Sequence, residues 1–197
     1  MGISERRERE KESTKNLIIS TAYGIVEQDG IENLSIRRIA SIIEYSPMTI
    51  YVYFKNKEEL LFSISNKAYE DFLKKSNLYS EHEPEARIRS RLREYLTFGI
   101  NNPNVYKAVW SSGLSNNRRT NRVFQKEGIR ILCSDIEDGI NKKVFKEVNA
   151  ESYSTIIWAS VHGLTLSLLE EDDQQKVELQ ISLIINLIVD GLKSNMR

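Results

Sequence analysis

The chain has 197 residues, of which 40% are hydrophobic and 28% are charged, and its formal net charge is zero. This length predicts one or two domains with a buried core, and the composition is typical of a globular rather than a disordered protein. Zero net charge argues against a general nucleic-acid binder, so any affinity for DNA requires a local basic patch. The single cysteine, Cys133, excludes an internal disulfide.

No segment has the composition of a signal peptide or a membrane span. The chain begins with mixed charges from Glu5 to Glu12, and its most apolar stretch, 181–189, is too short to cross a bilayer. We therefore expect a cytoplasmic protein that does not bind membranes. A glycine-rich phosphate loop, a His/Cys cluster with metal spacing and a Gly-x-Ser-x-Gly elbow are all missing from the sequence. We expect no enzyme activity, no cofactor and no metal site.

Apolar residues recur at helical spacing along the chain, which predicts an all-α fold. The first helix is expected from Ser13 to Gln28, and the mixed-charge segment before it favours a solvated helix extension over an arm in the DNA minor groove. Two short helices follow within 35–57, and a long helix runs from Lys57 to about Asn77. Further helices are expected at about 85–100, 103–111, 118–140, 150–170 and 174–194.

Residues 35–57 are the most informative part of the sequence. Ser35 is placed to cap one short helix, and Ser46-Pro47 provides a cap and a first-turn proline for a second helix of about two turns. Because so short a helix is unstable alone, its neighbours must hold it while its other side faces outward. This is the arrangement of a helix-turn-helix, whose second helix enters the DNA major groove. Four basic residues oppose Glu44 alone and give the segment a charge of +3, namely Arg37, Arg38, Lys55 and Lys57.

The same stretch resembles a known family. Ile39-Ala40 followed by Tyr45-Ser46-Pro47-Met48-Thr49-Ile50-Tyr51-Val52-Tyr53-Phe54-Lys55-Asn56-Lys57-Glu58-Glu59-Leu60 is similar to the TetR/AcrR transcriptional regulators at their most diagnostic stretch. The family usually has Gly and Val where this chain has Glu44 and Tyr45. Since a left-handed turn residue favours glycine, either Glu44 accepts a small strain or the turn takes another shape. A second stretch, Trp158-Ala-Ser-Val-His162-Gly163, resembles a Trp-x-x-x-His-Gly signature of one branch of the family.

The resemblance implies an N-terminal helix-turn-helix DNA-binding domain over 1–56, a connecting helix and boundary over 57–80, and a C-terminal helical ligand-binding and dimerisation domain over 81–197. It implies a homodimer on a palindromic operator in double-stranded DNA, acting as a repressor that a small apolar or amphipathic ligand releases. The alternative is a DNA-bound regulator that a protein partner controls. An apolar pocket in the C-terminal domain would favour the ligand, whereas a solid core with an exposed apolar patch would favour the partner.

Two groups of DNA contacts are expected from the resemblance and from side-chain chemistry. Lysine and tyrosine suit phosphate oxygens, whereas Thr49 and Met48 near the start of the second helix are placed to touch base edges. Arg37 is expected at a base edge or a phosphate. The full set of expected contacts is Ser35, Arg37, Arg38, Pro47, Met48, Thr49, Tyr51, Val52, Tyr53 and Lys57.

Aromatic residues recur in the helices expected for the C-terminal domain. His162 follows Trp158 by four residues, so both lie on one helical face. They could line a ligand cavity or form a satisfied pair in the core, and the sequence leaves both interpretations open. The residues that would enclose such a cavity are Tyr95, Phe98, Tyr106, Trp110, Phe124, Trp158 and His162.

The last helix is apolar around nearly its whole circumference between Val177 and Leu192, so it needs cover on every side. One face can pack on its own domain and the other on the same helix of a second subunit, although a buried central helix in a monomer is an alternative. We expect Val177, Ile181, Ile184 and Ile188 to face the partner; otherwise the interface passes through Leu179, Leu183 and Leu187. The expected interface residues are Leu164, Leu168, Ile181, Ile184, Ile188 and Leu192.

Overall fold

The computed structural model describes residues 2–80, 83–110 and 118–193, with the side chains of the seventh helix from Gln125 onward. Within these ranges the regular elements are α-helices, a short 3-10 turn at Ile31–Asn33 and an isolated bridge between Phe145 and Lys193. The predicted all-α fold is confirmed. The helices are α1 (Ile3–Asp29), α2 (Ile36–Ile42), α3 (Pro47–Tyr53), α4 (Lys57–Asn77), α5 (Pro84–Asn101), α6 (Pro103–Trp110), α7 (Arg118–Asn141), α8 (Ala150–Leu168) and α9 (Gln174–Leu192).

Helix α1 begins at Ile3, well before the expected Ser13. The added turns contain no proline, and their alternating charges stabilise a helix through pairs four residues apart. Arg6 Nε lies 2.8 Å from Glu10 Oε1 in one such pair. The mixed-charge segment is therefore a solvated helix extension, as its composition predicted.

The chain divides into two compact units. The N-terminal unit contains the chain up to Ala68 together with α6, and the C-terminal unit contains Tyr69–Asn101 and the chain from Arg122 onward. This division differs from the expected boundaries after residues 56 and 80, because α4 contributes to both units and α6 packs on α1. The Asn104 side-chain amide donates to the Glu27 carbonyl oxygen across that contact (3.1 Å).

The core of the N-terminal unit holds α3 in place. Ile50, in the middle of α3, is fully buried, and Phe54 at its C-terminal end is 1% exposed. These two side chains pack among buried residues of the neighbouring helices, so the opposite side of α3 is turned outward. Other buried residues of the N-terminal unit are Ile18, Ala22, Ile25, Ile39, Leu60 and Ile64.

In the C-terminal unit, α5 packs against both α8 and α9. The inward stripe of α9 consists of Val177, Ile181, Ile185, Val189 and Leu192, and it joins Ile88, Leu92 and Leu96 of α5 in one core. Two residues of the predicted partner-facing stripe, Val177 and Ile181, therefore lie within the protomer core. Leu168, Ile181 and Leu192 are at most 3% exposed. Three further residues of the expected interface are partly buried against the same core, namely Leu164, Ile184 and Ile188.

The outward side of α9 carries the alternative stripe. Leu179, Leu183 and Leu187 are 59%, 57% and 71% exposed, and on α8 Ile156 and Leu166 are also exposed. Between them α8 turns the small residues Ala159, Ser160 and Gly163 to the surface, and the segment from Ser152 to Ser167 contains no Asp, Glu, Lys or Arg. We call this outward side of both helices the α8–α9 face. Its exposed large apolar side chains are typical of a surface that another protein covers.

Candidate functional site

Hydrogen bonds at their ends fix both helices of the segment 35–57. The Ser35 hydroxyl accepts from the Arg38 backbone N–H (3.2 Å), and the Ser46 hydroxyl accepts from the Thr49 backbone N–H (3.1 Å). Helix α3 begins at Pro47, as the sequence predicted, and ends at Tyr53 after about two turns. Each end of this short helix is therefore determined by local chemistry, and the buried Ile50 fixes its rotation.

The turn between α2 and α3 keeps the left-handed shape that favours glycine. Glu44 has a φ of +57°, and the Tyr45 backbone N–H donates to the Ala40 carbonyl oxygen (2.9 Å). This six-residue hydrogen bond is the one that closes a Schellman motif, in which the left-handed residue is usually glycine. Of the two expected outcomes, the structure shows the first: Glu44 accepts the strain and the turn is unchanged.

Replacing Glu44 by glycine is expected to stabilise the α2–α3 turn. Glu44→Gly removes the left-handed strain, which costs about 1 kcal/mol, but it also removes a negative charge. Glu44→Gln removes the same charge and keeps a side chain in the left-handed region, so it is the matched control. Native-state hydrogen exchange at the amides of α2 and α3 measures the difference. Equal protection in the two variants would show that residue 44 is unstrained.

The outward side of α3 presents an apolar and aromatic surface. Met48 and Val52 are both 72% exposed and Tyr51 is 51% exposed. The Thr49 hydroxyl lies 2.9 Å from the Ser46 hydroxyl, so it belongs to the helix cap as well as to this side. Pro47 is exposed and Tyr53 is half-buried.

Two further residues join this surface that the sequence did not indicate. Ile42 at the end of α2 and Tyr45 in the turn are 55% and 43% exposed. Ile42 lies off the stripe of Ile39 and Ala40 that packs into the core, and this break in the helical period is the signal that could have identified it.

The predicted basic DNA contacts differ in whether their side chains already have a partner within the protein. Arg37 and Lys55 are exposed, and the structure records no side-chain interaction for either within its described ranges. Arg38, in contrast, forms an ion pair with Asp29. Lys57 Nζ donates to the Ile31 carbonyl oxygen (3.3 Å) and is partly buried. Arg37 is therefore the predicted cation of α2 that can reach an external partner without breaking an internal contact.

In the C-terminal unit, four of the predicted ligand residues come together. The Tyr95 hydroxyl lies 3.2 Å from His162 Nδ1, and the rings of Trp158 and His162 stack with centroids 4.8 Å apart. Phe72 contacts Tyr95 edge-on at 5.9 Å and Phe98 at 6.2 Å. We call this group the aromatic cluster; its members are Tyr69, Phe72, Tyr95, Phe98, Trp158 and His162.

Tyr69 and Phe72 of the aromatic cluster were not predicted. Phe72 continues the inward stripe of Ile64 and Ala68 along α4 at a spacing of four residues, and extending that stripe could have identified it. Tyr106 and Trp110 lie instead in α6, with ring centroids 6.1 Å apart, and belong to the N-terminal unit. The side chain of Phe124 lies outside the described residues. The predicted ligand set is thus brought together only in part.

Burial lowers the pKa of His162 from its ordinary value of 6.5. The unfolded chain therefore binds a proton more readily than the folded one, and stability is lost as the pH falls below about 6.5. We expect the urea midpoint of the wild type to fall between pH 7.5 and pH 5.5 by more than that of His162→Gln. The difference between the two pH dependences isolates His162 from the carboxylates. Identical pH dependences would show that His162 keeps its ordinary pKa.

The described part of the chain contains no helix that is both long and apolar enough to span a membrane. Searching the same residues for three neighbouring His, Cys, Asp or Glu side chains that could hold a metal ion also finds no such group. We take the exposed side of α3 and the aromatic cluster as the two candidate sites.

Comparison with known proteins gives a family match for the region that contains the first of these sites, and structural matches for most of the chain. Residues 18–64, which include α2 and α3, match a family model described as bacterial regulatory proteins of the tetR family. A TetR transcription regulator from Haloarcula marismortui is 21% identical, with a TM-score of 0.80 over 93% of this chain and 100% of that chain. A transcriptional regulator from Cytophaga hutchinsonii is 17% identical, with a TM-score of 0.77 over 91% and 98%.

A third structure, RolR in complex with the ligand resorcinol, is 16% identical with a TM-score of 0.69 over 95% of this chain and 91% of that chain. At these identities the structural comparisons show a shared fold, which extends over both units. Comparison with curated proteins by sequence gives no match.

Proposed function

We propose that this chain is a repressor of the TetR/AcrR family that binds a palindromic operator as a homodimer and is released by a small apolar or amphipathic ligand. Regulators of this family are DNA-binding proteins without enzymatic activity, in agreement with the sequence. We propose that it acts in the cytoplasm, where its operator would lie.

The outward side of α3 is the observation that carries the DNA-binding part of the proposal. Met48 and Val52 lie one turn apart on a helix whose opposite side is anchored by the buried Ile50. Apolar side chains at this position suit the methyl groups of thymine in the major groove, and the Tyr51 hydroxyl suits a phosphate oxygen. Arg37 at the start of α2 adds a cation without an internal partner among the described residues, which suits a phosphate or a guanine edge.

The α8–α9 face supports the homodimer. Five large apolar side chains are exposed on it, and each would lose contact with water if two copies of the face met about a two-fold axis. The small residues of α8 allow two helices to approach closely. A dimer with two-fold symmetry presents two copies of α3, which matches the symmetry of a palindromic operator.

The aromatic cluster supports control by a small molecule. It combines apolar rings with two polar groups, the Tyr95 hydroxyl and the His162 imidazole, and this mixture is typical of ligand sites. RolR, which shares the fold, carries an aromatic ligand, resorcinol. Helix α4 is continuous from Lys57 to Asn77, so it connects the end of the helix-turn-helix to Phe72 of the cluster. A ligand that displaced Phe72 would shift α4 and with it the spacing of the two recognition helices.

The test is binding to duplex DNA as a function of salt, using an operator selected from a random duplex library. Arg37→Ala and Lys57→Ala are each expected to lower the slope of log affinity against log salt by about one, because each removes one phosphate contact. Lys74→Ala is the matched control, since its side chain is 75% exposed near the end of α4 and should leave the slope unchanged.

The outcomes separate the parts of the proposal. Failure of the wild type to select a two-fold symmetric sequence would contradict operator binding by a dimer. An unchanged slope for Lys57→Ala, with a reduced slope for Arg37→Ala, would show that Lys57 makes no phosphate contact and keeps its hydrogen bond with Ile31. Specific binding that no small molecule relieves would instead support the alternative, a regulator that a protein partner controls.

A further inference from the structure

Helix α5 carries two buried arginines next to the aromatic cluster. Arg87 and Arg91 are only 8% and 9% exposed, and both face Asp135 of α7, which is 6% exposed. Arg87 Nε lies 2.9 Å from Asp135 Oδ1, and Arg91 Nε lies 3.3 Å from Asp135 Oδ2. Arg87 also pairs with Asp138 at the margin of this group. We call the group the buried charge cluster.

Arg91 is poorly satisfied within this cluster. Among the described residues its recorded partner is Asp135, and neither Arg91 Nε nor Asp135 Oδ2 has a hydrogen bond. Nε carries one of the five N–H donors of the guanidinium, and a buried donor is normally paired because an unpaired one costs free energy. Burial lowers the pKa of Arg91 and raises that of Asp135, because each charged group loses contact with water.

The recorded ion pairs of this cluster share their carboxylates. Asp135 is shared by both arginines, and Asp138 is shared by Arg87 and Lys142, whose Nζ lies 3.3 Å away. Among the described residues, Asp135 is thus the recorded partner of Arg91 and is itself divided between two guanidinium groups. An anionic group bound at Arg91 would supply acceptors for its donors.

The buried charge cluster and the aromatic cluster share the same helices. Arg91 precedes Tyr95 by four residues on α5, so the two lie on one face about 6 Å apart along the axis. On α7, Gly128 lies beside Trp158, and a Cβ at Gly128 would be 3.5 Å from the indole ring. Asp135 follows Gly128 by seven residues, which again places it on the same face, two turns away.

We propose that the effector is a small aromatic monocarboxylate, whose carboxylate binds Arg91 while its ring packs against the aromatic cluster. The proposal rests on ligand control as proposed above and specifies the chemical class of the ligand. A guanidinium binds a carboxylate through two parallel hydrogen bonds, which Arg91 does not make with Asp135. A ring linked to the carboxylate by a short chain matches the one-turn separation of Arg91 and Tyr95.

Fluorescence titration of the full-length protein tests this proposal without DNA. In a Trp110→Phe background Trp158 is the only tryptophan, so its emission reports on the aromatic cluster. The probe is 3-phenylpropionate, and its neutral amide, 3-phenylpropanamide, is the matched control. We expect the carboxylate to bind about tenfold more tightly than the amide, or better, because the amide cannot form a charged pair. Equal affinities, or no binding of either probe, would overturn the proposal.

Two variants of the buried charge cluster locate the carboxylate. Arg91→Gln is expected to abolish the preference for the carboxylate, whereas Arg93→Gln, an exposed arginine on the same helix that pairs with Glu178, should keep it. Asp135→Asn removes the carboxylate that competes for Arg91, so it should tighten binding of 3-phenylpropionate about tenfold. If the cluster only clamps α5 to α7, Asp135→Asn will show no gain and the proposal fails, even where Arg91→Gln does not fold.

The proposed function and this inference can fail separately. Suppose that a neutral ligand relieves operator binding and that the protein shows no preference between the two probes. The proposed repressor function would then stand, and the proposed carboxylate effector would be contradicted. Preferential binding of 3-phenylpropionate to a protein that selects no operator would support the carboxylate site and contradict the proposed repressor function.

Discussion

Leu183→Glu is expected to convert the proposed dimer into folded monomers and to weaken binding to the proposed operator by about 100-fold or more. In the dimer the new carboxylate would lie in the α8–α9 face without a partner, whereas in a monomer it would face water, as Leu183 is 57% exposed in the protomer. Each monomer then binds one half-site and loses the high effective concentration that links the second recognition helix to the first. Sedimentation velocity measures the first effect, and titration of the operator measures the second.

The same substitution at another exposed leucine provides the control. Leu78 belongs to neither α8 nor α9; it lies in the turn after α4 and is 73% exposed. Leu78→Glu should leave both the sedimentation coefficient and the operator affinity of the wild type unchanged. A Leu183→Glu protein that stays folded and dimeric would show that the subunits meet elsewhere, and a wild type that sediments as a monomer would contradict the homodimer altogether.

The sequence predicted the helices of this fold well because their ends are set by local chemistry. Ser46 and Pro47 determine where α3 begins, and Asn56 accepts a hydrogen bond from the Glu59 backbone N–H (2.8 Å) at the start of α4. Such caps depend on residues a few positions apart, which a single sequence displays directly. The departure from the family pattern at Glu44 was also visible in the sequence, because the turn requires a left-handed residue where the family usually has glycine.

The orientation of α9 could not be predicted in the same way. Its apolar residues cover the helix all round, so periodicity gave no reason to prefer Ile181 over Leu183 as the outward residue. Packing decided the matter, because α5 and α8 cover the side that carries Ile181. The buried charge cluster is a similar case: Arg87 and Arg91 lie far in sequence from Asp135, and only the fold brings them together.

Gly139→Ala is expected to destabilise the C-terminal unit by about 2 to 3 kcal/mol, the cost of overpacking a filled core. A Cβ at Gly139 would lie 2.0 Å from Cδ2 of Phe145, whose ring is 3% exposed. The ring cannot move away freely, because the Phe145 backbone N–H donates to the Gly139 carbonyl oxygen (3.0 Å) and the next residue, Lys146, donates to that of Leu192 (2.9 Å).

Helix propensity alone predicts the opposite sign, since alanine stabilises a helix interior by about 1 kcal/mol relative to glycine. Gly191→Ala in α9 supplies that reference, because a Cβ there meets no atom within 4 Å. Urea titration followed by Trp158 fluorescence in the Trp110→Phe background compares the two. The clash should be smaller in a Phe145→Leu background, where the Gly139→Ala cost is expected to fall by at least about 1 kcal/mol. An alanine that stabilised the protein equally at 139 and 191 would show that the loop carrying Phe145 yields, and that the contact does not hold α7 to the end of α9.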